Sequence, residues 1–278
     1  MLMIISTPIG NLGDITQRAA QMLTQADIIA CEDTRQTRKL LRLLGILSSA
    51  KIWAYHDHNG AKMRPNLVSV MKAGQKVALV SDAGTPLISD PGYKLVNACL
   101  ENDIPVTAAP GPTAPIVALT LSGLPSNKFA FQGFVPQKDK AARDALKTSQ
   151  PLTMTQIWFE NPKRLAATLQ LMANIYGNRY CVITRELTKL HETFYRGMLF
   201  DLAKKFKNAP TLKGELVLVV QGADMQATQI SIEETEELLR GRMQKMSLRD
   251  AVQELEDLSG LPRKQIYRLA LSISKDKP

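Results

Sequence analysis

Short apolar runs alternate with amphipathic stretches along the first part of the chain. The apolar runs predict β-strands at residues 2–6, 27–32, 51–55, 76–81 and 105–110. Between them, apolar positions recur with a helical period at residues 16–25, 34–44, 66–73 and 92–101. Strands that alternate with helices favour a mostly parallel sheet covered on both faces. Asp14 and Asp90 are candidate caps for the helices that follow them, and Gly45 is placed to end the helix before it.

A second pattern begins near residue 122. Its predicted strands cover residues 129–134, 155–160, 180–187, 191–197 and 214–222, and several of them alternate apolar with polar residues. Such alternation indicates a mixed or antiparallel sheet. A long helical pattern lies between two of these strands, with Pro162 suited to its first position and Gly177 to its end.

The remaining residues predict a small helical unit. Ser247 is a candidate cap for the stretch "LRDAVQELEDLSG", and Gly260 ends that pattern. Two helices joined by a short turn resemble a helix-turn-helix, and a helical appendage that packs on the protein or on a partner subunit fits equally well. We therefore predict an α/β protein with a parallel-sheet domain at residues 1–121, a mixed-sheet domain at 122–222, and a linker with a helical tail at 223–278.

The formal charge of +9 is distributed unevenly. Residues 128–213 carry 15 Lys and Arg against 6 Asp and Glu, whereas residues 229–278 carry 9 of each. A basic segment of this kind favours a polyanionic partner, most simply a nucleic acid. A lysine-rich solvated surface is the alternative.

The cysteines and the apolar runs indicate the compartment. Cys31, Cys99 and Cys181 have neither metal-site spacing nor a neighbouring histidine, so we predict buried free thiols and no metal. No apolar run approaches the roughly 18 residues of a membrane span. The first residues predict a strand rather than a signal peptide. Together these features predict a protein of the reducing cytoplasm.

Four loops rich in Gly, Pro and polar residues follow predicted strands of the first domain. They are "STPIGNLGD" (6–14), "CEDTRQTRK" (31–39), "SDAGTPLISDPG" (81–92) and "APGPTAP" (109–115). Ligands of open α/β sheets bind beyond the carboxyl ends of the strands, so the loops predict a cleft. They lack the phosphate-binding patterns GxxxxGK[ST] and GxGxxG. The acidic third loop disfavours a pyrophosphate, while Asp82 suits ribose hydroxyls or a cation. S-adenosylmethionine has the nucleoside and the positive charge that these constraints favour.

Longer motifs place these loops in a family context. The segments "TPIGNLGDIT", "ACEDTRQTRKLL", "VALVSDAGTPLISDPGYKLV", "PGPTA", "GLPSNKFAFQGFVP", "RELTKLHE" and "KGELVLVV" occur in this order. Over about residues 4–220 the chain resembles the bacterial cytidine-2′-O-methyltransferases of 16S ribosomal RNA, within the tetrapyrrole-methylase superfamily. The resemblance implies a homodimeric two-domain α/β enzyme. Its cofactor would be S-adenosylmethionine, bound between the domains, and its partner 16S ribosomal RNA or the small ribosomal subunit.

The same resemblance implies a set of cofactor-binding residues. They are Asp82, Gly84, Thr85, Pro112, Thr113 and Ala114 in the first domain, and Phe159, Leu187 and Gly214 in the second. Where the family has "YESPHR", this chain has "FENPKR" at residues 159–164. The difference affects individual contacts and keeps a basic residue, Lys163, in place of histidine.

Transfer of a sulfonium methyl to a ribose 2′-oxygen depends mainly on alignment, and a positioned base adds about 10²–10⁴-fold. The candidate bases are Glu32, Asp33 and His56, with His58 nearby, because all are predicted at strand ends. Helix capping is the alternative for the carboxylates, and hydrogen bonding within the loop is the alternative for the histidines.

The RNA-binding candidates share a positive charge and a place in the motif loops. They are Arg35, Arg38, Lys163, Arg164, Arg185 and Lys189. Pairing with Glu32 and Asp33 is the alternative for the first two. Two other functions stay open, namely a methyltransferase of this fold acting on a small molecule such as a tetrapyrrole, and a non-catalytic RNA-binding module. A steep salt dependence of substrate affinity would favour RNA.

Overall fold

A computed structural model describes residues 1–224, 232–244, 246–259, 261 and 263–275 of the chain. It divides into two units. Unit 1 comprises Met1–Ser149 and Met154–Gln221, and unit 2 comprises Gln150–Thr153 and Gly222–Pro278. Unit 1 contains both predicted α/β domains except residues 150–153 and 222, which belong to unit 2. The predicted linker falls largely on residues 225–231, which lie outside the described part of the chain.

The first sheet of unit 1 is parallel throughout. Its strands are β1 (Leu2–Ile5), β2 (Ile28–Cys31), β3 (Lys51–Ala54), β4 (Val77–Val80) and β5 (Val106–Ala109). They lie in the order β3-β2-β4-β1-β5, and every neighbouring pair is parallel. β2 and β4 are buried along their whole length, as expected for strands covered on both faces. The predicted parallel sheet is confirmed.

The helices of this half are α1 (Gln17–Gln25), α2 (Thr34–Leu43), α3 (Gly60–Lys72), α4 (Tyr93–Leu100) and α5 (Ala114–Ser122). Gly45 follows α2 with φ of +66°, as predicted. The prediction that Asp14 caps α1 is wrong, because Thr16 lies next to the helix and its hydroxyl accepts a first-turn N–H at 3.1 Å. Asp90 does not cap α4 either, since that helix starts directly after Gly92 without a side-chain cap.

The second sheet is mixed, as predicted. Its strands are β6 (Phe129–Phe134), β7 (Thr155–Glu160), β8 (Tyr180–Arg185), β9 (Thr193–Met198) and β10 (Leu216–Val220). In the order β6-β7-β10-β8-β9, β6 and β7 are parallel and the other neighbours are antiparallel. The helices are α6 (Asp139–Ser149), α7 (Leu165–Tyr176) and α8 (Leu199–Lys207). The prediction that Pro162 opens α7 is wrong, because the Asn161 side chain accepts the Lys163 N–H at 2.9 Å and holds these residues in a turn.

The two faces of the second sheet have different partners. Helices α6, α7 and α8 cover one face, in a core that contains the buried Trp158. The opposite face packs against α5 and Ile9, in a core that includes Ala118 and Val217. All but the last residue of helix α5 falls within the predicted first domain, 1–121, yet the helix packs on the second sheet. It therefore joins the two halves of unit 1 through apolar contacts.

The described part of unit 2 contains three helices besides the short non-helical segments at residues 150–153 and 222–224. It contains α9 (Ile232–Arg242), α10 (Leu248–Ser259) and α11 (Arg263–Lys275), packed around Leu239, Ala251, Val252, Leu255, Ile266 and Ala270. Ser247 caps α10 as predicted, since its hydroxyl accepts the Asp250 N–H at 3.2 Å. Gly260, the predicted helix stop, lies outside the described residues. Of the helices described, none combines the length and the apolar character needed to cross a membrane.

Candidate active site

A cavity of about 300 Å³ lies where the carboxyl ends of the first sheet meet the second sheet. Three of the four predicted strand-end loops line it, namely those at residues 6–14, 81–92 and 109–115. From the second sheet, the ends of β6 and β7, the start of β10 and the loop after β8 complete the wall. The cavity is within the volume range of small-molecule sites.

Thr85 connects the three first-sheet loops. Its hydroxyl lies 2.9 Å from the Ser6 hydroxyl, contacts the Thr113 hydroxyl, and donates to the Pro112 carbonyl oxygen at 3.1 Å. Next to it, Gly84 exchanges backbone hydrogen bonds of 2.8 and 3.0 Å with Thr7. The loops therefore form one hydrogen-bonded assembly rather than separate connections.

The loop at residues 6–14 also contacts the second half of unit 1. A Cβ atom at Gly10 would lie 2.5 Å from the Lys189 side chain and 2.8 Å from the Thr188 hydroxyl, so this close approach requires glycine. The N–H of Asn11 donates to the Thr188 hydroxyl at 3.0 Å. These contacts position Leu187 at the cavity wall.

Unusual backbone conformations concentrate beside the cavity. Among the described residues, five that are not glycine have positive φ, and four of them are Leu87, Ser89, Glu186 and Thr188. The first pair lies in the loop after β4 and the second in the loop after β8, and both loops line the cavity. Such conformations cost about 1–3 kcal/mol each and cluster at functional sites. Their position supports a functional role for this cavity.

The lining of the cavity is apolar with three carboxyl groups. Its walls include Phe134 and Phe159, whose rings lie 5.1 Å apart between centroids. The acids are Asp90, Glu160 and Glu215, and among the described lining residues none is Lys or Arg. Such a cavity disfavours phosphate and suits a ligand that carries a positive charge and an aromatic ring. The residues present therefore fit the methyl donor considered above.

Most predicted cofactor-binding residues meet at this cavity. Seven line it, namely Gly84, Thr85, Thr113, Ala114, Phe159, Leu187 and Gly214. Pro112 lies behind the wall, where its carbonyl oxygen accepts from Thr85. Asp82 is not a lining residue, and its carboxylate accepts the Asp33 N–H at 3.3 Å. Burial raises the pKa of Asp82.

The predicted bases do not line the cavity. Asp33 caps α2, accepting the Arg35 N–H at 2.8 Å, and hydrogen bonding from Arg35 lowers the pKa of the Asp33 carboxyl. Glu32 is exposed. His56 is half-buried, its backbone N–H donates to the Asn59 side chain at 2.9 Å, and its ring lies 6.0 Å from that of His58. The structure thus favours capping for Asp33 and brings none of these candidates to the cavity wall.

The predicted RNA-binding residues differ in the number of hydrogen bonds and ion pairs that their side chains make within the protein. Arg35 is exposed and pairs with Asp33 at 3.2 Å, and Arg38 lies 3.4 Å from the Thr34 hydroxyl. Lys163 is exposed.

The other three have more protein partners. Arg164 donates to the carbonyl oxygens of Val135 and Pro136 at 3.0 and 2.6 Å and pairs with buried Glu160. Arg185 donates to the Lys213 carbonyl oxygen at 2.6 Å. Lys189 forms ion pairs with Glu186 and Glu215 at 3.0 and 2.9 Å.

The comparison with known proteins agrees with this architecture. The model of the family Tetrapyrrole (Corrin/Porphyrin) Methylases matches residues 1–203. The chain belongs to the tetrapyrrole methylase family. A second model, the RsmI C-terminal HTH domain, matches residues 229–274. The first match covers the whole first sheet and every strand of the second sheet except β10, and the second match gives a family assignment to the helical tail.

Close relatives share nearly the whole length of the chain. The ribosomal RNA small subunit methyltransferase I of Mesorhizobium japonicum is 42% identical over 98% of this chain and 92% of its own length. The protein of the same name from Synechocystis is 43% identical over 99% of both chains. Among solved structures, diphthine synthase has a TM-score of 0.61 at 14% identity, covering 84% of this chain and 92% of its own.

A second solved structure shares the fold. Uroporphyrin-III C-methyl transferase from Thermus thermophilus, complexed with S-adenyl homocysteine, has a TM-score of 0.56 at 16% identity. It covers 78% of this chain and 96% of its own. At this identity the match establishes the methylase fold, which confirms the predicted fold class.

Sequence reasoning missed the three cavity acids. Asp90 lies in the loop at residues 81–92, and its position before a helix favours a capping role. Glu160 and Glu215 lie at the ends of predicted strands, 155–160 and 214–222, and nothing in their spacing indicates that β7 and β10 are neighbours. The pairing of Glu160 with Leu216 across these strands is what brings both acids to one wall.

Proposed function

We propose that this protein transfers the methyl group of S-adenosylmethionine to the 2′-oxygen of a cytidine in 16S ribosomal RNA. The observation that carries the proposal is the cavity, in which seven of the nine predicted cofactor-binding residues meet without a lysine or arginine among the described lining residues. The relatives named ribosomal RNA small subunit methyltransferase I support a ribosomal RNA substrate, because they match almost end to end.

In this proposal both halves of unit 1 contact the methyl donor. The Thr85 assembly and Gly84 hold the nucleoside part of the donor, and Phe159 and Leu187 form the apolar wall opposite. When bound, S-adenosylmethionine supplies a methyl group on a positively charged sulfur. The carboxylates favour that charge, and the enclosing walls exclude water and align the methyl carbon with the incoming oxygen.

The basic segment provides the simplest RNA-binding surface. The outer helices of the second sheet carry exposed basic residues, which are Lys140, Arg143 and Lys147 on α6 and Lys204, Lys205 and Lys207 on α8. Lys163 lies next to the cavity-lining Asn161 and Pro162. We assign to Lys163 an RNA phosphate contact near the cavity, since it is exposed. The helical tail and a second copy of the chain are further candidates for RNA contacts, and the homodimer and a cytoplasmic location are part of the proposal.

The test is methyl transfer followed by mass spectrometry. The full chain is incubated with deuterium-labelled S-adenosylmethionine and either small ribosomal subunits or 16S RNA from cells that lack this protein. Digestion to nucleosides and fragment mapping should find one labelled 2′-O-methylcytidine. Binding of the demethylated donor, S-adenosylhomocysteine, is measured separately by calorimetry.

The two measurements separate the possible failures. Binding of S-adenosylhomocysteine with no labelled nucleotide in either RNA substrate would overturn the RNA assignment and favour a small-molecule methyltransferase. Labelling of a base, or of a ribose other than that of cytidine, would overturn the specificity. RNA binding without any affinity for S-adenosylhomocysteine would favour the non-catalytic module. Affinity for RNA that falls steeply with salt is expected under the proposal.

A further inference from the structure

The three carboxyl groups of the cavity differ in their partners. Glu160 accepts the Asn161 N–H at 2.6 Å, contacts the Thr168 hydroxyl, and pairs with Arg164 at 3.5 Å. Glu215 pairs with Lys189 at 2.9 Å. Asp90 differs from both, because no Lys or Arg nitrogen of the described chain lies within 4.0 Å of its carboxylate. Asp90 is thus the cavity acid without a balancing cation.

The groups around Asp90 on its own side of the cavity are acidic or neutral. Glu32 directly follows β2, and Ser81 and Asp82 follow β4, where the Ser81 hydroxyl contacts the Ala83 and Gly84 carbonyl oxygens at 3.2 Å. Burial, together with the charges of Glu32 and Asp82, raises the pKa of the Asp90 carboxyl to about 6, while hydrogen bonding to Ser81 opposes the change. Across the cavity, Glu160 and Glu215 are the other charged lining groups, each balanced as described. Asp90 can therefore exchange a proton near neutral pH.

The backbone around Asp90 is held in one arrangement. Leu87 and Ser89 have φ of +74° and +65°, and a Cβ at Gly92 would lie 2.7 Å from the Leu87 side chain and 2.8 Å from that of Leu79. The loop is thus packed tightly onto the end of β4. Half-buried Asp90 is presented to the cavity by a backbone that costs energy to maintain, which is typical of functional positions.

We propose that Asp90 is a catalytic residue that accepts the proton of the attacking ribose hydroxyl. This inference rests on the proposed function. As the 2′-oxygen forms its bond to the methyl carbon, the carbon–sulfur bond breaks and its electron pair stays on sulfur. The hydroxyl proton passes to a carboxylate oxygen of Asp90, which later releases it to water. The step needs no other reactant. Glu160 and Glu215 are less suited to accept the proton, because each already pairs with a cation.

The experiment compares Asp90→Asn with the wild-type chain and with Asp103→Asn. Asp103 is an exposed acid with φ of +54°, a conformation that Asn adopts readily, so it matches the chemical change away from the cavity. We expect Asp90→Asn to lower kcat for methyl transfer to RNA by about 10²–10⁴-fold. Its affinity for S-adenosylhomocysteine should change by less than about tenfold. Asp90→Glu should recover part of the rate, and Asp103→Asn should match the wild type.

A second readout needs neither donor nor RNA. In the ligand-free protein labelled with ¹³C at the aspartate carboxyl carbons, the signal missing from Asp90→Asn identifies Asp90. Its titration midpoint should lie near 6. The wild-type kcat/KM should rise with pH through the same range and level off above it, because the base acts only when deprotonated, and this rise should be absent in Asp90→Asn.

The outcomes are distinguishable. A rate for Asp90→Asn equal to that of the wild type would overturn the role of Asp90 and leave the proposed function standing. The role also fails if the midpoint lies at the ordinary aspartate value of about 3.9. Loss of S-adenosylhomocysteine affinity that accounts for the whole loss of rate would instead make Asp90 a donor-binding residue. A wild-type chain that transfers no methyl to RNA would overturn the proposed function, and the proton-acceptor role with it.

Discussion

Replacement of Arg164 by methionine separates a structural role from an RNA-binding one. Sequence reasoning placed Arg164 among the RNA contacts, but its guanidinium pairs with Glu160, whose side chain is 0% exposed, and donates to two carbonyl oxygens. Removing one partner of a buried ion pair costs about 3–5 kcal/mol, because the other charge stays buried. Since the Arg164 side chain is itself 30% exposed, we expect the lower end, about 3 kcal/mol.

Urea denaturation measures this cost. Trp53 and Trp158, the two tryptophans of the chain, both lie in unit 1, and Trp158 is in β7 with Glu160, so fluorescence follows the relevant unit. With a slope near 3 kcal/mol per M, the midpoint for Arg164→Met should fall by about 1 M.

The adjacent residue provides the matched control. Lys163→Met, at an exposed position, should leave stability within about 0.5 kcal/mol and lower the slope of log affinity for RNA against log salt by about 1. The structural role of Arg164 is refuted if Arg164→Met unfolds at the wild-type midpoint and shows the salt effect expected of Lys163→Met.

Three other changes test the site and the core. The pKa of Asp90 is about 6 in the folded chain and about 3.9 in the unfolded chain, so its contribution to stability is present below pH 4 and is lost as pH rises through 6. In urea denaturation, the free energy of unfolding of Asp90→Asn should therefore equal that of the wild type at pH 4. At pH 8 it should exceed the wild-type value by about 1–2 kcal/mol, after allowance for solvent screening. Equal differences at both pH values would contradict this. Thr85→Val should weaken S-adenosylhomocysteine binding about 10–100-fold by calorimetry, because it removes the hydroxyl that joins three loops; wild-type affinity would show that the assembly does not shape the site. Cys31, Cys99 and Cys181 are each 0% exposed, and burial raises the pKa of Cys181 to about 12. Ellman's reagent should therefore label the three thiols only after unfolding. Fast labelling of the native chain would contradict the burial of these thiols.

The fold could be predicted because its signals are local. Each strand of the first sheet is a short apolar run, and all five were located within a residue or two. Helix ends were less predictable where two capping residues compete. Asp14 and Thr16 both precede α1, and only the geometry decides that Thr16 accepts the first-turn N–H. Similarly, Pro162 suits the first position of a helix, but the Asn161 side chain closes a turn there first.

The sequence predicts those cavity residues that lie in recognisable motif loops. It does not predict the residues that become neighbours only through the pairing of strands. Gly84, Thr85 and Thr113 lie in motif loops at strand ends, and all three line the cavity. Glu215 and Glu160 become neighbours through the antiparallel pairing of β10 with β7, which no pattern in a single sequence specifies. The order of strands in a sheet depends on long-range contacts, so this part of the site needed the structure.

The two walls of the cavity come from different sheets. The wall from the first half of unit 1 is built from loops at the carboxyl ends of parallel strands, and Thr85 holds these loops together, so changing this wall would disturb the end of the first sheet. The acids of the opposite wall, Glu160 and Glu215, lie at the end of β7 and directly before β10, and the outer helices of this sheet carry exposed lysines. In this chain the second half carries the positive excess of residues 128–213, while the cavity wall keeps Glu160 and Glu215 with their cations. A basic exterior and an acidic interior on the same sheet are what an enzyme needs if it binds a polyanion outside and a cationic donor inside.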